Sequence, residues 1–314
     1  MTRAGRQQDP RHDDRHVRRA YHGFLPFRLQ ARSQRSGGDR RPGQYVVPGS
    51  NDMHSHVVEL GDPSGSLALM LAEGVTGFRQ MSGSPALLTA RSKGTLPIGA
   101  IAPALHETPG SLITPFNAGT VDAVACEIRR QKAQGADFIK VGMVAPEVFF
   151  AAIDEANAQG IPILGHLQEG TDALQATAAG FRSVEHLGPG STIWICCSDE
   201  EAELRADSYR RDVIKAPPFR IPFLETLVMK RLARMLINPA AFAQPKDVDR
   251  LKRAIDSYDP DKGHAVAAKF REDGSWQVPT LLRLRTQELR TAPNTKATRY
   301  SPTCLKRPSR TGAR

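Results

Sequence analysis

Four histidines occupy similar places in this sequence, each near the end of a short apolar segment. His54 and His56 lie in VVPGSNDMHSH, His166 lies in GIPILGHLQEG, and His186 lies in FRSVEHLG. In an extended strand, residues two positions apart point to the same face, so His54 and His56 would act together. One histidine at a strand end is usually structural, but four are not expected by chance. Because imidazole is the commonest protein ligand for zinc and similar ions, these positions predict a metal site.

Lys140 is a charged residue inside the apolar segment GADFIKVG. A buried lysine is costly unless it is paired or chemically altered. One explanation is an ion pair with Glu185 or Glu169. The other is carbamylation by CO₂, which requires a neutral lysine and turns the side chain into a carboxylate that can bridge two metal ions. The residues themselves leave both explanations open.

Short apolar segments alternate with helical patterns between residues 45 and 282. Strands are expected at Asp52–His56, Gly77–Met81, Ile98–Ala104, Asp137–Gly142, Pro162–Leu167, Ser183–Leu187 and Gln277–Leu282. Helices are expected at Ser66–Glu73, Asp122–Gln134, Glu147–Gln159 and Asp172–Ala179, each followed by a glycine that ends it. This alternation predicts an α/β fold with a parallel sheet. Polar residues at the strand ends favour a (β/α)8-type TIM barrel, incomplete at about seven strands.

A long helical insertion, residues 189–275, is expected between the sixth and seventh strands. Its predicted helices are Glu200–Ile214, Phe223–Leu236, Lys246–Tyr258 and Lys262–Glu272. Such an insertion would form a lid over the strand ends or a surface for a partner.

The net charge of +10 over 314 residues is concentrated at the two ends of the chain. Residues 1–41 carry +7 and residues 283–314 carry +8, so the remainder carries −5. We therefore divide the chain into a basic, disordered segment 1–44, a barrel 45–282 and a basic, disordered segment 283–314. The two ends have three interpretations. They are arms that bind nucleic acid, solvated tails without a function, or non-native sequence that a wrong start site or a shifted reading frame introduced. We favour the last interpretation.

The composition excludes several classes of protein. It is not that of a disordered polyelectrolyte, a collagen or a coiled coil. Four scattered cysteines do not make a disulfide scaffold, and reduced thiols are expected. No apolar stretch has the length of a membrane span or of a signal peptide's core, so we expect a cytoplasmic protein without membrane contact.

Several motifs resemble, in order, those of the amidohydrolase superfamily, in its prolidase-like and imidazolonepropionase-related subgroup. They are PGSNDMHSH, LAEGVTGFRQM, GADFIKV, GHLQEG, VEHLG and VPTL. The resemblance covers about residues 42–282. It implies a metal-dependent hydrolase that uses a metal-bound hydroxide to cleave a C–N bond in a small-molecule amide, cyclic amide or dipeptide.

The resemblance also implies roles for the candidate residues. His54 and His56 would bind one divalent ion, His166 and His186 would bind a second, and carbamylated Lys140 would bridge the two. Both ions are expected to be zinc. Arg79 and His106 are candidate substrate contacts, and a structural ion pair is the alternative role for Arg79. Whether the protein forms a homo-oligomer is left open.

The sequence departs from the family pattern after Leu282. The family's last strand carries a metal-binding, proton-accepting Asp in a G-T-D context, and residues 283–314 contain no Asp. The catalytic base is therefore unassigned, and whether the chain is active is open. The alternatives are a catalytically impaired remnant of such an enzyme and, from another class, a nucleic-acid-binding protein that uses its basic ends. Nucleic acid is the less favoured partner.

Overall fold

The computed structural model describes residues 47–187, 191–209 and 244–281. The chain divides after Val47, and everything below belongs to the second unit. The predicted terminal segments 1–44 and 283–314 lie outside the described residues. The predicted helix Phe223–Leu236 also lies outside them. The same is true of the last five residues of the predicted helix Glu200–Ile214.

The described chain is an α/β fold with two parallel sheets, which confirms the expected class. One sheet has the order β1-β2-β3 and the other β4-β5-β6-β7, and every pairing between neighbours is parallel. The strands are β1 Ser50–Ser55, β2 Val75–Gln80, β3 Ala104–Glu107, β4 Ile139–Val141, β5 Ile163–Gly165, β6 Ser183–Glu185 and β7 Trp276–Val278.

Helices connect the strands, and half of those in the described ranges begin at a proline that follows a polar residue. They are α1 Pro63–Ala72, α2 Pro85–Ser92, α3 Pro115–Ala118, α4 Val121–Ala133, α5 Pro146–Gln159, α6 Ala173–Ala178, α7 Thr192–Cys196, α8 Glu201–Tyr209, α9 Pro245–Asp256 and α10 Pro260–Glu272. The side chains of Asp62, Ser84 and Asp172 accept backbone N–H groups at the starts of α1, α2 and α6. Such caps satisfy amide groups that have no partner within the helix. No helix in these ranges is long and apolar enough to cross a membrane.

The main core lies between the second sheet and the helices that cover it. Every residue of β4 and β5 is buried, as expected for parallel strands covered on both faces. Phe149 of α5 packs its ring edge-on against Phe181, with the centroids 5.0 Å apart. This packing holds β4, β5 and β6 in fixed register, and their carboxyl ends carry the candidate site.

The bounds of all seven predicted strands differ from those in the structure, and the third and seventh differ most. The third is Ala104–Glu107 instead of Ile98–Ala104, because Pro103 lacks an N–H group and the segment before it is irregular, with Ile101 68% exposed. The seventh ends at Val278 because Pro279 follows and Thr280 has a positive φ of 49°. Helices α2, α3 and α7 were not predicted, although Ser84 followed by Pro85 is a typical helix start.

Candidate metal centre

Four imidazole rings lie side by side at the carboxyl ends of β1, β5 and β6. The centroid of the His54 ring is 5.1 Å from that of His56 and 4.5 Å from that of His186. The rings of His186 and His166 are 5.4 Å apart. The structure therefore brings together the four histidines that the sequence singled out, in the order His56, His54, His186, His166. Their role as metal ligands stays a prediction.

His54 and His56 have the spacing of two ligands to one ion. Their Nε2 atoms are 3.2 Å apart. Two imidazole nitrogens bound to one tetrahedral zinc ion, each at about 2.0–2.1 Å, are about 3.3–3.4 Å apart. The pair therefore fits a small divalent cation. In the three described ranges, however, no group of three or more His, Cys, Asp or Glu side chains is arranged to hold a metal ion.

Glu185 of β6 fixes the orientation of His54. Its Oε2 contacts His54 Nδ1, and its Oε1 accepts hydrogen bonds from Arg79 Nη2 at 3.5 Å and from Ser183 Oγ at 3.3 Å. Because a carboxylate accepts the Nδ1 proton, the lone pair of His54 is left on Nε2, the atom that faces His56. The sequence analysis named Glu185 as an ion-pair partner for Lys140, not as a contact of His54. The glutamate directly before His186 in VEHLG was the available signal.

Burial dominates the electrostatics of Glu185. It raises the pKa of this carboxyl to about 7, although the positive charges of Arg79 and Lys140 and the Ser183 hydrogen bond act to lower it. A carboxylate without water nearby is stable only beside such cations. The glutamate and the two basic side chains therefore form one charge group inside the strand ends.

Lys140 lies in the middle of β4 and is 5% exposed. Its charge acts on Glu185, which supports the ion-pair explanation for this buried lysine. Carbamylation stays a prediction.

Hydrogen bonds hold the other two histidines at their strand ends. The Nδ1 atom of His186 is 2.7 Å from Thr280 Oγ1, in the segment that follows β7. His186 has a positive φ of 60°, so the chain turns sharply where β6 ends. The backbone N–H of His166 donates to Val141 O at 3.0 Å and extends the β4–β5 pairing. Thr280 was not predicted, since it lies 94 residues from its partner.

The two predicted substrate contacts lie in different surroundings. Arg79 is buried: its Nε donates to Met53 O at 3.0 Å and its guanidinium lies 5.5 Å over the ring of Phe138. This favours a structural ion pair, which the sequence left open beside a substrate contact. His106 is partly exposed, and its Nε2 is 2.9 Å from Asn51 Oδ1. Substrate binding by either residue stays a prediction.

Comparison with known proteins gives structural neighbours only. Neither a protein-family model nor a curated protein matches the chain. Similar solved structures include bottromycin amidohydrolase, with 25% identity over 73% of this chain and a TM-score of 0.39. They also include A. niger ochratoxinase, with 17% identity over 76% of this chain and a TM-score of 0.38. A third is a prolidase complexed with N-methylphosphonate-L-proline, with 20% identity over 73% of this chain and a TM-score of 0.33.

Two of these neighbours carry the names amidohydrolase and prolidase, which are also the names of the group that the sequence motifs resemble. The chain spans 57% of the length of bottromycin amidohydrolase, 65% of the ochratoxinase and 64% of the prolidase.

Proposed function

We propose that this protein is a metal-dependent hydrolase of C–N bonds, acting on an amide, a cyclic amide or a dipeptide. The observation that carries the proposal is the pair of Nε2 atoms of His54 and His56, 3.2 Å apart, with His54 oriented by Glu185. A histidine held by a carboxylate on one nitrogen and presenting the other is a common arrangement for a zinc ligand.

The proposed site has two halves. His54 and His56 would hold one divalent cation, while His166, His186 and carbamylated Lys140 would hold a second, with Lys140 shared. A bound cation of this kind supplies nucleophilic hydroxide at neutral pH, because it lowers the pKa of water towards 7. We further propose that the strands form an incomplete barrel, since Glu185 of the second sheet contacts residues of both β1 and β2.

The buried residues of the site have distinct tasks in this proposal. Glu185 keeps the proton of His54 on Nδ1, and Arg79 stabilises the charge of Glu185. Arg79 is in turn held by the backbone of β1 through Met53 O. These groups orient the imidazole of His54. No residue is assigned as general base.

The first test is zinc binding by the metal-free protein, measured by competition with a chromophoric chelator. We expect wild type to bind zinc and His56→Asn to bind it much more weakly. The exposed His264 on α10 supplies the control, and His264→Asn should bind as wild type does. The proposal fails if wild type and His56→Asn retain the same zinc. Turnover of dipeptides and N-acyl amino acids by the zinc-loaded protein then tests the reaction.

A catalytically impaired remnant is the second candidate. It is favoured because no group of three or more His, Cys, Asp or Glu side chains of the described residues is arranged to hold a metal ion, and because Glu185, the carboxylate at His54, is already engaged by Arg79. A remnant would bind zinc without measurable hydrolysis. Losing a positioned general base costs about 10²–10⁴ in rate, so the turnover assay must resolve rates that far below an ordinary hydrolase.

A further inference from the structure

Gln168, two residues after His166, has a side chain whose carboxamide is bonded on both ends. It is 4% exposed. Its Nε2 donates to Gly142 O at 2.7 Å and to His166 O at 2.9 Å, and its Oε1 accepts from Val144 N at 2.8 Å. Both N–H groups and the carbonyl of the amide are thus used. This pattern needs two donors and an acceptor in one plane, which an ionised carboxylate, a hydroxyl or an apolar side chain does not offer.

The backbone of Gln168 makes a further set of contacts. Its carbonyl oxygen accepts hydrogen bonds from Thr171 Oγ1 at 2.7 Å and from Thr192 Oγ1 at 3.3 Å. Thr192 is the first residue of α7, the helix that follows β6. One residue therefore contacts the segment after β4, the segment after β5 and the helix after β6.

These three segments follow the strands that carry one half of the proposed site. Gly142 is two residues after Lys140, Gln168 is two residues after His166, and Thr192 is six residues after His186. Segments after strands are usually mobile, whereas ligands of one cation must keep fixed spacings. The buried carboxamide of Gln168 joins the segments after β4 and β5, and the backbone carbonyl of the same residue accepts a hydrogen bond from the first residue of α7, so this freedom is reduced.

We propose that the side chain of Gln168 is the positioning group that fixes the relative places of Lys140 and His166, while its backbone carbonyl ties α7, the helix after His186, to the same point. It acts through the backbone of Gly142, His166 and Val144 and contacts no reacting group. The expected gain in cation affinity rests on the proposed function. The ordering of the segments by Gln168 does not, because it needs no bound cation.

The test compares two buried glutamines in the full-length chain. Gln168→Met removes the three hydrogen bonds of the carboxamide at nearly constant size. Gln131→Met is the matched control, because Gln131 is fully buried and also donates twice, to Ser111 O and to Glu127 Oε1, but contacts none of the three segments. Both variants should lose stability. Amide hydrogen exchange of the peptides that cover 141–145 and 166–172 should become faster in Gln168→Met only.

Zinc affinity, measured by chelator competition, is the functional readout. Removing a group that orients a metal ligand typically costs about 10- to 100-fold in affinity, and we expect this loss for Gln168→Met and no loss for Gln131→Met. The visible spectrum of the cobalt-loaded protein should change in the same variant. If Gln168→Met does not fold, Thr192→Val, which removes only the hydrogen bond from α7, should show a smaller loss in the same direction.

The outcomes separate the inference from the proposed function. If wild type binds no zinc, the proposed function fails, and the exchange measurement still decides whether Gln168 orders the three segments. If wild type binds zinc and Gln168→Met binds it equally well, or loses no more than Gln131→Met, the inference is wrong. Unchanged exchange in the folded variant, or unchanged affinity in Thr192→Val where that variant is needed, also overturns it.

Discussion

Replacing Gly165 by alanine should damage the site without touching any candidate ligand. Gly165 is the last residue of β5, directly before His166, and has a φ of +134°. It pairs with Val141 of β4 on one side and with Val184 of β6 on the other. A Cβ atom built on Gly165 would lie 2.2 Å from Val141 O. Real Cβ atoms essentially never approach another heavy atom within 3.0 Å, so β4 and β5 must separate.

The cost can be worked from these contacts. A non-glycine residue at such a φ costs about 1–3 kcal/mol. Separating the strands also breaks the hydrogen bond from His166 N to Val141 O, now 3.0 Å, and an unpaired buried group costs about 1–3 kcal/mol. We therefore expect Gly165→Ala to lower the free energy of unfolding by about 2–6 kcal/mol.

The matched control is Gly135→Ala. Gly135 also has a positive φ, +85°, but nothing lies within 4 Å of the added Cβ. Its cost is the backbone strain alone, partly offset by the smaller entropy of the unfolded chain, and should be about 1 kcal/mol. Urea unfolding of the full-length protein in chelator, followed by circular dichroism, measures both. Equal losses in the two variants would refute the steric argument, and with it the view that tight β4–β5 pairing places His166.

Four further results are expected. Glu185→Gln should bind zinc about 10- to 100-fold more weakly in chelator competition, because the amide holds the neighbouring imidazole less firmly than a carboxylate does. Alkylation at pH 8, followed by peptide mass spectrometry, should label exposed Cys126 and spare Cys197, because burial raises the pKa of the Cys197 thiol to about 11. Arg250→Met should lower stability in urea by about 3 kcal/mol, the lower end for a broken buried ion pair, since one of the acidic partners is half exposed. Zinc affinity should rise with added bicarbonate, and Lys140→Met should abolish that dependence.

Local signals predicted the parts of the fold that local chemistry decides. The β4, β5 and β6 segments were found because each is a short apolar run that follows a glycine at the end of a helix. Their parallel order then places all their carboxyl ends at one edge, so the grouping of His166 and His186 followed from the topology alone. The regular spacing in VVPGSNDMHSH likewise placed His54 and His56 on one face.

The contacts that orient these side chains could not be predicted. Glu185 and His54 are 131 residues apart, and nothing in the periodicity of either segment indicates that they meet. The place of Gln168 depends on two carbonyl groups and one amide that converge only when β4 and β5 are paired. The bounds of β3 and β7 were missed for a local reason, because prolines at 103 and 279 were given too little weight.

The charges inside the strand ends bear on the state of Lys140. Arg79 and Lys140 are two buried basic groups; Glu185 is a fully buried carboxylate on which both charges act, and the partly buried carboxylate of Glu107 lies 3.8 Å from Arg79 Nη1. A buried lysine cation opposes the entry of a divalent cation, since charges in a low-dielectric interior are poorly screened. Carbamylation replaces the lysine cation by an anion and changes the charge of the group by two units in the direction that attracts a metal ion. The bicarbonate experiment therefore tests more than a modification: if zinc binds equally well without carbonate, Lys140 stays a cation in the loaded protein and the imidazoles hold the metal without it.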